Sequence, residues 1–262
     1  MFKKTITAAL GSLQRIYTRR RAVPDALWLL TLAQYPFLAQ RSSADLTRLR
    51  ELSAQFLAHK QFSGAHNLQV TDEIAVAIAA QACLPVLNLG LRPYNDFKGI
   101  VVHAGPMLAG RHVIDEAGVH HFYKEALVGE AMQGGPVTLS WQDAEASSDN
   151  ALRGYNVVIH EFAHKLDMQD GTANGCPPLG SRAASVQWQT TMQNAFDAFK
   201  DQVVMAERFG APAPWLDAYG ATSPAEFFAV ATEAYFVNAI RFEADFAEVK
   251  LLFDAYFGEK RH

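Results

Sequence analysis

Twelve residues in the middle of the chain, Asn156 to Asp167, constrain the fold more than any other stretch. Asn156-Val157-Val158-Ile159 leads into His160-Glu161-Phe162-Ala163-His164, which places the two histidines inside a helix. Residues four apart on a helix lie one turn above each other, so both imidazoles can meet a single metal ion. Glu161 then points toward water on that ion. Zinc lowers the pKa of such a water toward about 7, and an adjacent carboxylate can take the proton and pass it to a leaving amine. The fold must bury this helix yet keep one position on the metal open. The alternative reading needs no metal: His160 and His164 are then satisfied core histidines, and Glu161 sits in a salt bridge. The remaining histidines, including the adjacent His120 and His121, show no ligand spacing.

A catalytic zinc wants a third protein ligand. After His164 the chain reads Lys165-Leu166-Asp167-Met168-Gln169-Asp170, so no third histidine follows at HExxHxxGxxH spacing. This favours a glutamate from a later helix. Asp167 either orients an imidazole from behind or is a charge near the helix end. Downstream, Glu226 and Glu233 lie seven residues apart, on nearly one helical face but about 10 Å apart along the axis. Only one of them can reach the metal. Ser223-Pro224-Ala225-Glu226 has the pattern of a capping box, which would turn Glu226 back on Ser223 and release Glu233 for the ion. Glu233, among Val230, Ala234 and Tyr235, needs a partner in either case.

Around these motifs the chain reads as helices, a small sheet, then helices, an α+β order. Two helices are expected between Pro24 and about Ala58, with a break at Pro36. Another runs from Thr71, its N-cap, to Leu84, stopped by Pro85, with Ile74, Ala75, Ile78, Ala79 and Ala82 as its apolar stripe. Gly99–His103 and Val137–Trp141 are β-rich and bounded by Gly and Pro; a shorter strand is expected near Val119 to Tyr123. Ser148, Asp149 or Asn150 is expected to cap a helix running to about Met168, ended by Asp170-Gly171. Further helices are expected over roughly Ser185 to Val204 and from Ser223-Pro224, with Pro at the first helical position. A helical region over residues 1–90 is expected to pack on a core formed by 91–262.

Composition narrows the class. Half of the 262 residues are apolar and 19% are charged, enough for a sizeable core. No apolar run approaches the roughly 18 residues of a membrane span. A net charge of −4 gives no global reason to bind nucleic acid. Cys83 and Cys176 form no CxxC pair and are too few for a disulfide framework, which fits a reducing, cytoplasmic setting. Lys3, Lys4, Arg15, Arg19, Arg20 and Arg21 all precede the first acid, Asp25. They read as a solvated basic helix face, or else as a contact for a membrane or an acidic partner.

Tyr219-Gly220-Ala221-Thr222-Ser223-Pro224-Ala225-Glu226-Phe227-Phe228-Ala229 resembles the third-ligand segment of gluzincin peptidases of the anthrax lethal factor type. With HEFAHKLD at His160 to Asp167 and GGPVTLSW leading toward it, the chain resembles the Mlc titration factor A family of bacterial zinc peptidases. The resemblance extends over roughly residues 95 to 240. It implies a zincin-like fold, one zinc ion held by His160, His164 and Glu226, Glu161 as general base, and Tyr219 as the transition-state tyrosine. Glu233 then becomes a carboxylate behind the ligands. A phenol with an ordinary pKa near 10 stays protonated at neutral pH and can donate to a developing oxyanion; otherwise Tyr219 packs beside Trp215. The resemblance further implies an aminopeptidase of short peptides and a protein contact with a glucose repressor of the Mlc type. The rival class is therefore a regulatory binding protein with secondary peptidase activity. Val137 to Trp141 is read either as an edge strand over the zinc or as an ordinary core strand, and Glu130 is a candidate anchor for a substrate amine.

Overall fold

The structure, a computed structural model, describes residues 22–114, 120–171 and 173–258. The basic stretch from Lys3 to Arg21 lies outside them. Helices α1 (Asp25–Gln34), α2 (Pro36–Ala39) and α3 (Ser43–His59) precede strand β1 (Gln61–Gly64) and helix α4 (Asp72–Cys83). Then come β2 (Gly99–His103), β3 (Met107–Ile114), β4 (His120–Leu127), β5 (Gly129–Ala131) and β6 (Val137–Ser140). Helices α5 (Trp141–Asn150), α6 (Val157–Asp167), α7 (Arg182–Phe209), α8 (Pro224–Val237), α9 (Ala239–Asp245) and α10 (Ala247–Gly258) complete the described chain. The order is α+β and dominated by helix.

The principal sheet has the order β1-β2-β6-β5. The first three strands run parallel, and β5 returns antiparallel on β6, with Glu130 opposite Thr138. Ile100, Val102, Val137 and Leu139 are buried, as expected of strands covered by helices. Strands β3 and β4 form a separate antiparallel pair. One apolar core runs from Leu49 and Phe56 through Ile78, Ile100 and Phe162 to Phe228 and Phe253. Helix α6 lies at its centre, against α4, α8, β5 and β6.

Two expectations need correction. No single helix runs from Ser148–Asn150 to Met168: α5 ends at Asn150, a 3-10 turn follows at Ala151–Arg153, and α6 starts afresh with Asn156 as N-cap. Gly154, at φ +77°, makes the break. Its backbone is left-handed, and a Cβ there would crowd Trp215 and Ala234 at 3.1 and 3.2 Å. The chain is thus bent where α8 and Trp215 press on it, which a local helix signal cannot register. Second, the strand expected over Val137–Trp141 stops at Ser140, because Trp141 already begins α5 under a Ser140 cap; of its two readings the core one holds, since it lies between β2 and β5. The edge belongs to β5.

Helix limits elsewhere follow local chemistry. The hydroxyls of Thr71, Ser181 and Ser223 accept from the backbone N–H three residues on, at Ile74, Ala184 and Glu226. Helix α7 extends beyond its expected range, from Ser181 to a left-handed Gly210 at its end.

Candidate metal centre

Helix α6 carries its first turn into the floor of a cavity of about 530 Å³. His160 and His164 project from one face. Their Nε2 atoms are 3.2 Å apart, and Glu226 Oε2 lies 3.0 Å from the first and 3.2 Å from the second. Two ligands each about 2.0–2.1 Å from one tetrahedral ion would stand about 3.3 Å apart. The three ligand atoms, all within 4.8 Å of one another, therefore have the spacing and the N₂O chemistry that suit zinc. The exposure of the three side chains is 12%, 12% and 21%, enough to leave one side of the cluster open to the cavity.

Glu226 reaches this point because its capping box is only half made. Its backbone N–H donates to Ser223 Oγ at 3.2 Å, while its carboxylate turns to the imidazoles instead of back to Ser223. Two turns on, Glu233 is almost completely buried. Its Oε1 faces His160 Nδ1 at 2.7 Å and its Oε2 accepts the backbone N–H of Asn156 at 2.5 Å. The carboxylate fixes the proton on Nδ1 and leaves Nε2 turned to the cluster.

The charges are strongly coupled. Burial alone would lower the His160 pKa, but Glu233 and Glu226 outweigh it and raise it well above the ordinary imidazole value. Burial raises Glu226, yet the hydrogen bonds and charges of both histidines hold it far below the usual carboxylate range. Such a cluster demands positive charge, so protons and a metal ion compete for it. Glu161, 4% exposed, is pushed up to about 7 by burial, against the pull of His160 and His164.

Glu161 lies under β5. A Cβ on Gly129 would fall inside van der Waals contact of Glu161 Oε1 and 2.6 Å from its Cγ, so only glycine lets the edge strand lie this close. The strand is held down by Lys165, fully buried on α6, which donates to the carbonyls of Met132 at 2.7 Å and Gly135 at 3.1 Å. The Lys165 ammonium also lies 4.3 Å from the Phe97 ring centre.

Tyr219 sits on a 3-10 turn whose start is capped by Asp217, which accepts the Tyr219 N–H at 2.9 Å. Its ring centre is 6.2 Å from that of His160, and the side chain is 43% exposed at the cavity. Glu130 lines the cavity from β5. Asp167 is buried, and its Oδ2 accepts from the Gly175 N–H at 2.8 Å, tying down the segment beyond α6. Its Oδ1 has no hydrogen-bond partner among the described residues.

Sequence reasoning missed four contributors. Asn156 is the α6 cap, Tyr155 lines the cavity beside it, Gly129 admits Glu161, and Asp217 stands at the cavity wall. Burial and then Glu233 raise the Tyr155 phenol, keeping it a donor. The asparagine before an apolar run was the one local signal available.

The chain is 35% identical over 202 residues to proteins named Mlc titration factor A from Yersinia pestis (strain Pestoides F) and Yersinia pseudotuberculosis serotype O:1b (strain IP 31758), covering 77% of this chain and 73% of each of theirs. A family model described as glucose-regulated metallo-peptidase M90 matches residues 11–258. Spanning most of the chain, that match places the protein in the M90 family of glucose-regulated metallopeptidases.

Proposed function

We propose that the protein is a cytoplasmic, zinc-dependent aminopeptidase of short peptides, with His160, His164 and Glu226 as ligands, Glu161 as general base and Tyr219 as oxyanion donor. The observation that carries this reading is the convergence of three ligand atoms within 4.8 Å. A zinc ion, when bound, supplies Lewis acidity toward a carbonyl oxygen and toward water. Glu161 accepts the proton of the attacking water as its oxygen bonds to the scissile carbonyl carbon. It then returns that proton to the amine nitrogen as the C–N bond breaks. A carboxylate whose burial draws its pKa toward neutrality suits both halves of that transfer. The Tyr219 phenol donates to the oxygen on which charge develops, with Tyr155 as a second phenol in the same cavity.

The lining supports a substrate with a free amine. Its charged side chains are the carboxylates Glu130, Glu161, Asp217, Glu226 and Glu233 and two histidines, with no lysine or arginine among the described residues. Backbone groups along the edge of β5 can hold an extended peptide by main-chain hydrogen bonds.

The zinc-loaded protein is expected to hydrolyse alanine p-nitroanilide, to lose that activity to a chelator and to regain it with zinc. The N-acetylated substrate should resist cleavage. Activity that survives complete metal removal would overturn the zinc mechanism, and cleavage of the acetylated substrate would overturn the aminopeptidase assignment. The Yersinia relatives are named for titrating Mlc, which supports a second reading: this chain also holds a repressor of that type by protein contact. Pull-down of such a repressor in both metal states tests it; no binding in either state leaves the peptidase alone.

The close approach of β5 gives a further expectation. Gly129→Ala should displace the Glu161 carboxylate by a large fraction of an ångström, lowering turnover up to about a hundredfold with metal content intact. Wild-type turnover in that variant, measured alongside metal analysis, would detach Gly129 from the placement of Glu161.

A further inference from the structure

Helix α4 is buried almost throughout, and from Ile74 to Cys83 every side chain but one is apolar. The exception is Gln81, with 0% exposure. Burying a primary amide without a purpose is costly, and each of its polar ends must find a partner. Its Oε1 accepts from Asn156 Nδ2 at 2.8 Å, and its Nε2 donates to the Ala77 carbonyl at 3.1 Å. The Tyr35 hydroxyl, which donates to the Ala144 carbonyl at 3.2 Å, hydrogen-bonds with the same side chain. The orientation of the Gln81 amide is therefore set on both sides.

Asn156 is equally committed. Its Oδ1 caps α6 by accepting the Ile159 N–H at 2.9 Å, and its carbonyl accepts the His160 N–H at 3.0 Å. Its own N–H goes to Glu233, whose other oxygen faces His160 Nδ1 at 2.7 Å. Only the Nδ2 group remains, and Gln81 takes it. Remove that acceptor and the buried carboxamide must either leave a donor unpaired or rotate, giving up the cap. Rotation disturbs the first turn of α6 and the oxygen that Glu233 shares with it.

We propose that Gln81 is a positioning residue for His160, acting through Asn156 and Glu233 to fix the imidazole with its Nδ1 proton on Glu233 and its Nε2 on the cluster. The inference rests on the metal-centre reading for its consequence, but the relay itself can be read without metal.

Gln81→Met tests it, since methionine is close in volume and helix-compatible but has no strong acceptor. In the metal-free protein, the His160 Nδ1 proton followed by nuclear magnetic resonance should exchange with solvent faster than in wild type. In the metal-binding assay, competitive chelator titration should show zinc held about threefold to tenfold more weakly. Gln81→Glu, neutral when so deeply buried, keeps a carbonyl acceptor and a donor and should restore both readouts. Ser53→Ala removes another buried polar group, whose hydroxyl donates to the Leu49 carbonyl at 2.7 Å and meets the Cys83 thiol but neither Gln81 nor Asn156, and should move neither. If Gln81→Met does not fold, Gln81→Asn, which shortens the reach, is expected to give the same two changes. Unchanged exchange and unchanged zinc affinity, even with a lower melting temperature, would overturn the proposal. Faster exchange in a protein whose wild type binds no zinc would sustain the relay and refute the metal-centre reading instead.

Discussion

Glu161→Gln is expected to retain stoichiometric metal and lose at least about a hundredfold in turnover, or about 2.7 kcal/mol of transition-state stabilisation. The carboxamide keeps the volume and polarity of the side chain but cannot accept and return a proton. Folding should be undisturbed, because Glu161 is 4% exposed and burial already pushes its carboxyl up to about 7. A neutral isostere relieves that desolvation. The proposed ligand atoms belong to His160, His164 and Glu226, so metal analysis should match wild type. The measurements are metal content by mass spectrometry and initial rates on one peptide substrate. A fully loaded variant turning over near the wild-type rate would remove Glu161 from the chemistry.

The second large effect separates the two glutamates of α8. Partners behind a metal ligand typically cost about 10–100-fold in affinity when removed, and loss of an anionic ligand should exceed that. Glu226→Gln is therefore expected to weaken zinc by at least about a hundredfold, because it neutralises the oxygen lying 3.0 and 3.2 Å from the two imidazoles. Glu233→Gln, which keeps one acceptor oxygen behind His160, should weaken zinc only toward the lower end of that range, by about tenfold. Its cost falls on stability: two N–H groups, from His160 and Asn156, now meet a side chain with one acceptor oxygen. A buried donor facing an amide NH₂ costs about 1–3 kcal/mol. Chelator competition and thermal melts on both variants give the answer. Metal loss confined to the Glu233 variant would exchange the two assignments.

How much of this was legible beforehand follows the range of each signal. The histidines and Glu161 sit within one helical turn, so a five-residue pattern places them. Glu226 was legible only with the family resemblance, because its local sequence is an equally good capping box; the structure keeps the cap and redirects the carboxylate. Glu233 could be read as needing a partner from its apolar neighbours. Other features depend on contacts far along the chain. Gly154 turns because Trp215 and Ala234 press against it, Gly129 is required because Glu161 lies beneath it, and the Asp167 carboxylate is taken by Gly175. The choice between interior and edge strand stayed open because the alternation of Val137 to Ser140 reports a buried face and says nothing about which neighbour closes the ladder.

The spacing of the site's partners along the chain also sets when it can exist. Gln81 and Asn156 are 75 residues apart, Asn156 and Glu233 are 77, and His160 and Glu226 are 66. Each contact closes a loop whose entropy must be lost before any bond rewards it, which makes such contacts late events in folding. An ion held by the proposed ligands cannot serve as an early template, because no short segment carries more than two of them. Metal capture then belongs to the end of the folding reaction and acts mainly by slowing the way back. A chain still on the ribosome, or one that has lost its helical packing, has histidines but no organised centre, so its hydrolytic power is withheld until the whole molecule is assembled.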